Sequence, residues 1–158
     1  MNSRLFQATP LKNSRLARLG WTQLNKRSPW NLRPLTGVPA EKNAKGIALF
    51  ALGAIANYRR LKSAESENEA RSLLAELLRL RVSGYSGAAW GYNFDWQSRN
   101  FFAPKGTPTI VPTAFAARAL TEGFLAFQDD DYLRIAKSVC EFIANDLHRS
   151  SESDHEIC

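Results

Sequence analysis

The chain has 158 residues, 44% of them hydrophobic and 23% charged, with a formal net charge of +6. That is one domain's worth of ordinary globular composition, and the longest apolar run, residues 46–56, is far short of the roughly 20 residues a bilayer span requires. Residues 1–40 carry seven Lys/Arg and no acid, whereas the remainder carries 14 basic and 15 acidic residues, so the basic character belongs to the N-terminal arm and not to the body.

Residues 1–42 read as an irregular arm, punctuated by Pro10, Gly20, Pro29, Pro34, Gly37 and Pro39, in which only Ser14–Asn25 suits a short helix. Trp21, Trp30, Leu32 and Leu35 offer anchors to the body. A solvated lead-in is the simplest reading of the arm. A transit peptide and a phosphate- or nucleic-acid-seeking segment are the alternatives. Met1–Gly20 has no apolar core of a secretory signal.

Residues 43–148 read as one helical domain. Residues 43–62 are apolar all round, which predicts a helix buried on several sides. In 65–81, Ala70, Leu73, Leu74, Leu77 and Leu78 form an apolar stripe, with acids leading and bases closing as the helix dipole prefers. A short turn joins the two into a helical hairpin. Residues 82–112 follow as a long loop. A second hairpin pairs 113–127, with Thr113 as its N-cap, and 131–147, capped by one of Asp129, Asp130 and Asp131. Tyr132, Ile135, Ala136, Val139, Cys140, Ile143 and Leu147 form its stripe, so Cys140 reads as a small core residue. Residues 149–158 read as a polar tail, cut short. No stretch alternates with period two, and the expected class is all-α.

The loop is the most informative segment. Tyr85–Phe102 holds seven of the 17 aromatic residues, among Asn93, Asp95, Gln97, Arg99 and Asn100. A connection this long in a compact domain is functional or disordered, and this composition argues against disorder. Rings beside amides, a carboxylate and a guanidinium suit a saccharide, whose C–H faces stack on Trp and Tyr and whose hydroxyls need polar partners. Trp90, Tyr92 and Trp96 are the expected platform, with packing inside the helical array as their other role. Gln97 and Arg99 either bind hydroxyls or a uronate carboxylate, or brace the loop. Asp95, the one acid between Arg81 and Thr113, either serves as a catalytic or hydroxyl-binding carboxylate or caps a turn and pairs with Arg99.

Other chemistries find no support. There is no HExxH, Cys/His cluster, P-loop, GxGxxG or GxSxG, so no metal or cofactor is expected. His148 suits a helix C-terminus, and His155 lies in the polar tail. Arg59, Arg60 and Lys62 close a helix, and beyond residue 40 the charges balance, which argues against a nucleic-acid face. Two cysteines make no disulfide framework, and a reducing, cytoplasmic compartment is the default.

Two motifs carry a resemblance. TAFAARALTEGFLAFQDDDYLRIAKSVCEFIANDL, residues 113–147, resembles a recurrent unit of the six-hairpin glycosidase-like (α/α) toroids. Residues 90–99, WGYNFDWQSR, are similar to a WGYxFDWQSR-type loop of bacterial toroid proteins from polysaccharide-related settings, and the likeness runs from Ser28 to Leu147. It implies a carbohydrate-active toroid protein acting by glycoside hydrolysis, uronate elimination or epimerisation, with Asp95 as its polar centre. A toroid has six hairpins and this chain offers two, without the carboxylate pair, so an N-terminal fragment is expected, either poorly stable alone or self-associating through unpaired helix faces. A non-catalytic helical module binding a glycan or a protein partner is the alternative.

Overall fold

The computed structural model describes residues 2–98, 101–147, 150–152 and 155–157. Helices dominate: α1 (Arg4–Gln7), a 3₁₀ turn (Pro10–Asn13), α2 (Arg15–Arg27), α3 (Ala44–Leu61), α4 (Ala64–Arg79), α5 (Ile110–Phe127) and α6 (Asp130–Asn145). Two short antiparallel pairs join them. β1 (Trp96–Gln97) pairs with β2 (Phe102–Ala103), Trp96 opposite Ala103, and β3 (Ser150–Glu152) pairs with β4 (His155–Ile157). The all-α expectation holds at the level of class.

The chain divides into two compact units. An arm unit comprises Met1–Asn43 and Tyr92–Thr107, and a helical unit comprises Ala44–Gly91 and Pro108–Cys158. Most of the aromatic loop thus groups with the N-terminal arm. Charge is sorted the same way. The arm unit has ten Lys/Arg and two acids, a net of +8, and the helical unit has eleven Lys/Arg and thirteen acids, a net of −2.

In the helical unit, α3 packs on α4 and α5, and α5 also packs on α4 and α6. Ala44, Ala48, Ala51, Ala54 and Ile55 of α3 are buried, the four alanines allowing close packing and Ile55 filling the core. Ser63 caps α4 by accepting from Ser66 N, and Leu74 and Leu77 fill the core. At α6, Asp129 accepts from Asp131 N, as expected of an acidic cap. α5 is the one helix among the described residues long and apolar enough, by length and composition, to cross a membrane. Arg118 and Glu122 break its apolar run, which is why run length overlooks it. Its Ala116, Ala119, Leu120 and Gly123 lie in the core of the unit.

Two expectations are corrected here. The helix expected to start at Thr113 starts at Ile110, so Thr113 is internal and fully buried; its Oγ accepts from Trp90 N at 3.0 Å and donates to Trp90 O at 3.1 Å. Cys140 is exposed. The buried set of α6 is Tyr132, Ile135, Ala136, Val139 and Phe142, because Phe142 meets the Tyr85 ring edge-on at 5.6 Å and draws the buried stripe toward itself.

The residue before α5 gives a further expectation. Thr109 makes no side-chain cap bond, and its buried Oγ has no partner. Thr109→Val is therefore expected to leave stability unchanged or raise it by up to about 1 kcal/mol, since it removes a polar atom that burial penalises. Chemical denaturation checks this, and a loss above that size would show the hydroxyl to be bonded.

Candidate functional site

The arm unit is held together by side chains far apart in sequence. Ser3 caps α1 by accepting from Phe6 N and donates to Thr36 O at 2.7 Å. Phe6 is buried, and its ring stacks on Trp21 of α2 at 5.1 Å. Ser14 caps α2 by accepting from Ala17 N. α2 is the helix expected at Ser14–Asn25, ending two residues later. The remainder of the arm, expected to be irregular, adds α1 and the 3₁₀ turn.

Residues 92–98 meet the arm through a polar lattice. Asp95 accepts from Gln7 Nε2 at 2.5 Å on one oxygen and from Lys105 N at 2.8 Å on the other. Gln97 Oε1 accepts from Arg18 Nε at 2.7 Å, while its Nε2 donates to Ser98 O and Phe101 O. Asn93 O accepts from Asn2 Nδ2, and Asn93 Oδ1 accepts from Asn43 Nδ2 at 2.9 Å. Lys105 Nζ donates to both oxygens of Glu41 at 2.8 Å. Arg18 also lies over the Phe102 ring, 4.2 Å from its centroid.

The rings of the same segment support one another. Tyr92 stacks on Phe94 at 5.0 Å and meets Trp96 edge-on at 5.5 Å, and Trp96 meets Phe101 edge-on at 5.0 Å. Burial pushes the Tyr92 phenol above its ordinary pKa. Trp96 is therefore gripped on two sides and holds a fixed orientation.

This framework encloses a cleft of about 820 Å³ within the arm unit. Trp21, Phe94 and Trp96 supply rings, Asn2, Asn25, Asn31, Asn93 and Gln97 supply amides, and Lys26, Arg33, Glu41 and Asp95 supply charge. The volume suits a small ligand or a short oligomer. Among the described residues no group of three or more His, Cys, Asp or Glu side chains could hold a metal ion.

The residues singled out in the sequence separate in the structure. Asp95, Trp96 and Gln97 line the cleft, and Tyr92 backs Trp96. Trp90 stands elsewhere: it is a fully buried residue of the helical unit whose Nε1 donates to Leu77 O at 2.8 Å, so its ring is closed to a dissolved ligand. The reason is local. Trp90 is pinned by Thr113 on its backbone and by the last turn of α4 on its indole, whereas the chain passes into the arm unit at Tyr92. Arg99 and His148 lie outside the described residues. Trp21, Asn25, Lys26, Arg33, Glu41 and Phe94 were not singled out as ligand groups from the sequence. The acid-free composition of the arm was the only available signal for the two cations among them.

No family model matches the chain, and neither a curated protein nor a solved structure matches it.

Proposed function

We propose that this protein binds a saccharide in the arm-unit cleft, as a carbohydrate-active protein in which α3–α6 form two hairpins of an (α/α) toroid. The observation that carries the reading is the lining: a Trp96 ring fixed by Tyr92 and Phe101, with Trp21 and Phe94, among five amide side chains. Rings offer flat apolar faces to pyranose C–H groups, and amides serve hydroxyls as donor and acceptor.

Binding is favoured over bond cleavage by the state of the carboxylates. Glycoside hydrolysis at a pair of acids needs both aimed at the scissile bond. Asp95 and Glu41, the two acids of the cleft, are each tied into the lattice, Asp95 through Gln7 and Lys105 N and Glu41 through Lys105 Nζ. Asp95 serves the cleft chiefly by fixing its wall, with elimination, hydrolysis or epimerisation as the second reading.

Titrating oligosaccharides while following tryptophan fluorescence tests the proposal. A saturable change is expected, and Trp96→Ala is expected to weaken binding about tenfold or more, the equivalent of losing one stacked ring. A folded Trp96→Ala protein that binds as tightly as the wild type defeats the cleft as the site. Release of new reducing or unsaturated ends that Asp95→Asn abolishes would instead favour the catalytic reading.

A further inference from the structure

We propose that the outward face of α2, with the turn that follows it, docks onto an anionic lipid bilayer surface. The inference does not rest on the saccharide reading, because it concerns the opposite side of the helix.

α2 turns Ala17, Arg18, Trp21 and Asn25 inward, and its exposed positions include Leu16, Gly20, Gln23, Leu24 and Arg27. Those five positions follow helical spacing and make one stripe. Leu16 is 79% exposed and Leu24 54%. Trp30, just beyond the helix, is 76% exposed. It is held there by a tight turn, in which Ser28 Oγ accepts from Trp30 N at 3.2 Å and donates to Trp30 O at 3.0 Å. Leu24, Arg27 and Trp30 border one shallow hollow. Large apolar side chains exposed singly are ordinary, but a group of them with basic neighbours marks an interaction surface.

The occupant must offer both apolar depth and negative charge. The arm unit carries +8, and its first 40 residues contain no acid. A second copy would bring the same +8 to the contact, and like charge opposes that pairing. A single-stranded nucleic acid would use the cations and the indole, but it has nothing to seat Leu16 and Leu24. A bilayer containing acidic lipid uses every part. Leucines enter the acyl boundary, Trp30 sits at headgroup level, and Arg27 faces the anionic surface.

The test uses the full chain and sedimentation with phosphatidylcholine vesicles, with and without phosphatidylserine. Pelleting is expected only with phosphatidylserine present, and raising the salt concentration should release the protein. Tryptophan fluorescence should shift to the blue on binding, and Trp30→Phe should remove most of that shift. The double variant Leu16→Ser/Leu24→Ser should bind about tenfold more weakly or worse, and Arg27→Glu should weaken binding at low salt. All these side chains are exposed, so circular dichroism should show the variants folded. Failure to pellet with phosphatidylserine overturns the proposal, as does pelleting indifferent to Leu16→Ser/Leu24→Ser. An oligonucleotide that displaces vesicles and binds that double variant as well as the wild type would assign the surface to nucleic acid. A dimer abolished by the same double variant would assign it to self-association. Either result overturns the bilayer.

Discussion

Gly87→Ala is expected to destabilise the helical unit by about 3 kcal/mol or more, at or beyond the upper end for overpacking. A Cβ at position 87 would fall 1.8 Å from Ser138 O and 2.7 Å from Phe142 N. Both are backbone atoms of α6, so no side chain can swing aside to make room. The segment cannot easily retreat, because its neighbours tie it to the same helix. Ser86 Oγ donates to Glu141 O at 3.0 Å, Ser86 N donates to Asp146 Oδ2 at 2.8 Å, and Ala88 N donates to Ser138 Oγ at 3.2 Å. Glycine is required here for close approach of two backbones. Thermal melting and urea denaturation check the expectation, and a fall in melting temperature on the order of 10 °C is anticipated for a protein of this size. A loss below about 1 kcal/mol would mean that the segment does not lie against α6 as described.

That contact also shows where the sequence was legible and where it was not. The four long helices were legible because each buries a continuous face, and periodicity records burial. Expected spans of 43–62, 65–81, 113–127 and 131–147 compare with Ala44–Leu61, Ala64–Arg79, Ile110–Phe127 and Asp130–Asn145. The largest shift is at α5, where Pro112 suggested the end of a loop but sits in the first turn, where a missing N–H costs nothing. Cys140 was misplaced because helical spacing fits a stripe through either 140 or 142. Only the 85–88 segment, some 55 residues earlier in the chain, decides between them.

The cleft was legible in part. Its ring-rich wall is legible in the composition of the 85–102 segment, and the arm that completes it is not. Gln7 reaches Asp95 and Arg18 reaches Gln97 across 88 and 79 residues, and no local pattern encodes such pairs. The three rings expected as one platform, Trp90, Tyr92 and Trp96, are close in sequence. Closeness says nothing of where the chain leaves one unit for the other, and that crossing separates Trp90 from Tyr92 and Trp96.

The separation of Trp90 from Trp96 yields the second large effect. Trp90→Ala is expected to cost about 3–5 kcal/mol, the range for emptying a large buried aromatic site. Among the described residues Trp90 is the largest fully buried side chain, and removing it also withdraws the donor from Leu77 O near the end of α4. Helix ends leave carbonyls in need of partners, and among the described residues Leu77 O would retain the bond from Leu80 N at 3.2 Å. Trp90→Phe retains most of the apolar area and loses the indole donor, so a cost of about 1–3 kcal/mol is expected. Its second consequence concerns function. A folded Trp90→Phe protein should bind saccharide as the wild type does, whereas Trp96→Ala should not. Denaturation of the two Trp90 variants alongside fluorescence titration of Trp90→Phe and Trp96→Ala checks both halves. Equal loss of binding in Trp90→Phe and Trp96→Ala, with stability intact in both, would place Trp90 at the ligand and contradict its burial. Loss of stability at position 90 with loss of binding only at position 96 assigns the first ring to the fold and the second to the ligand.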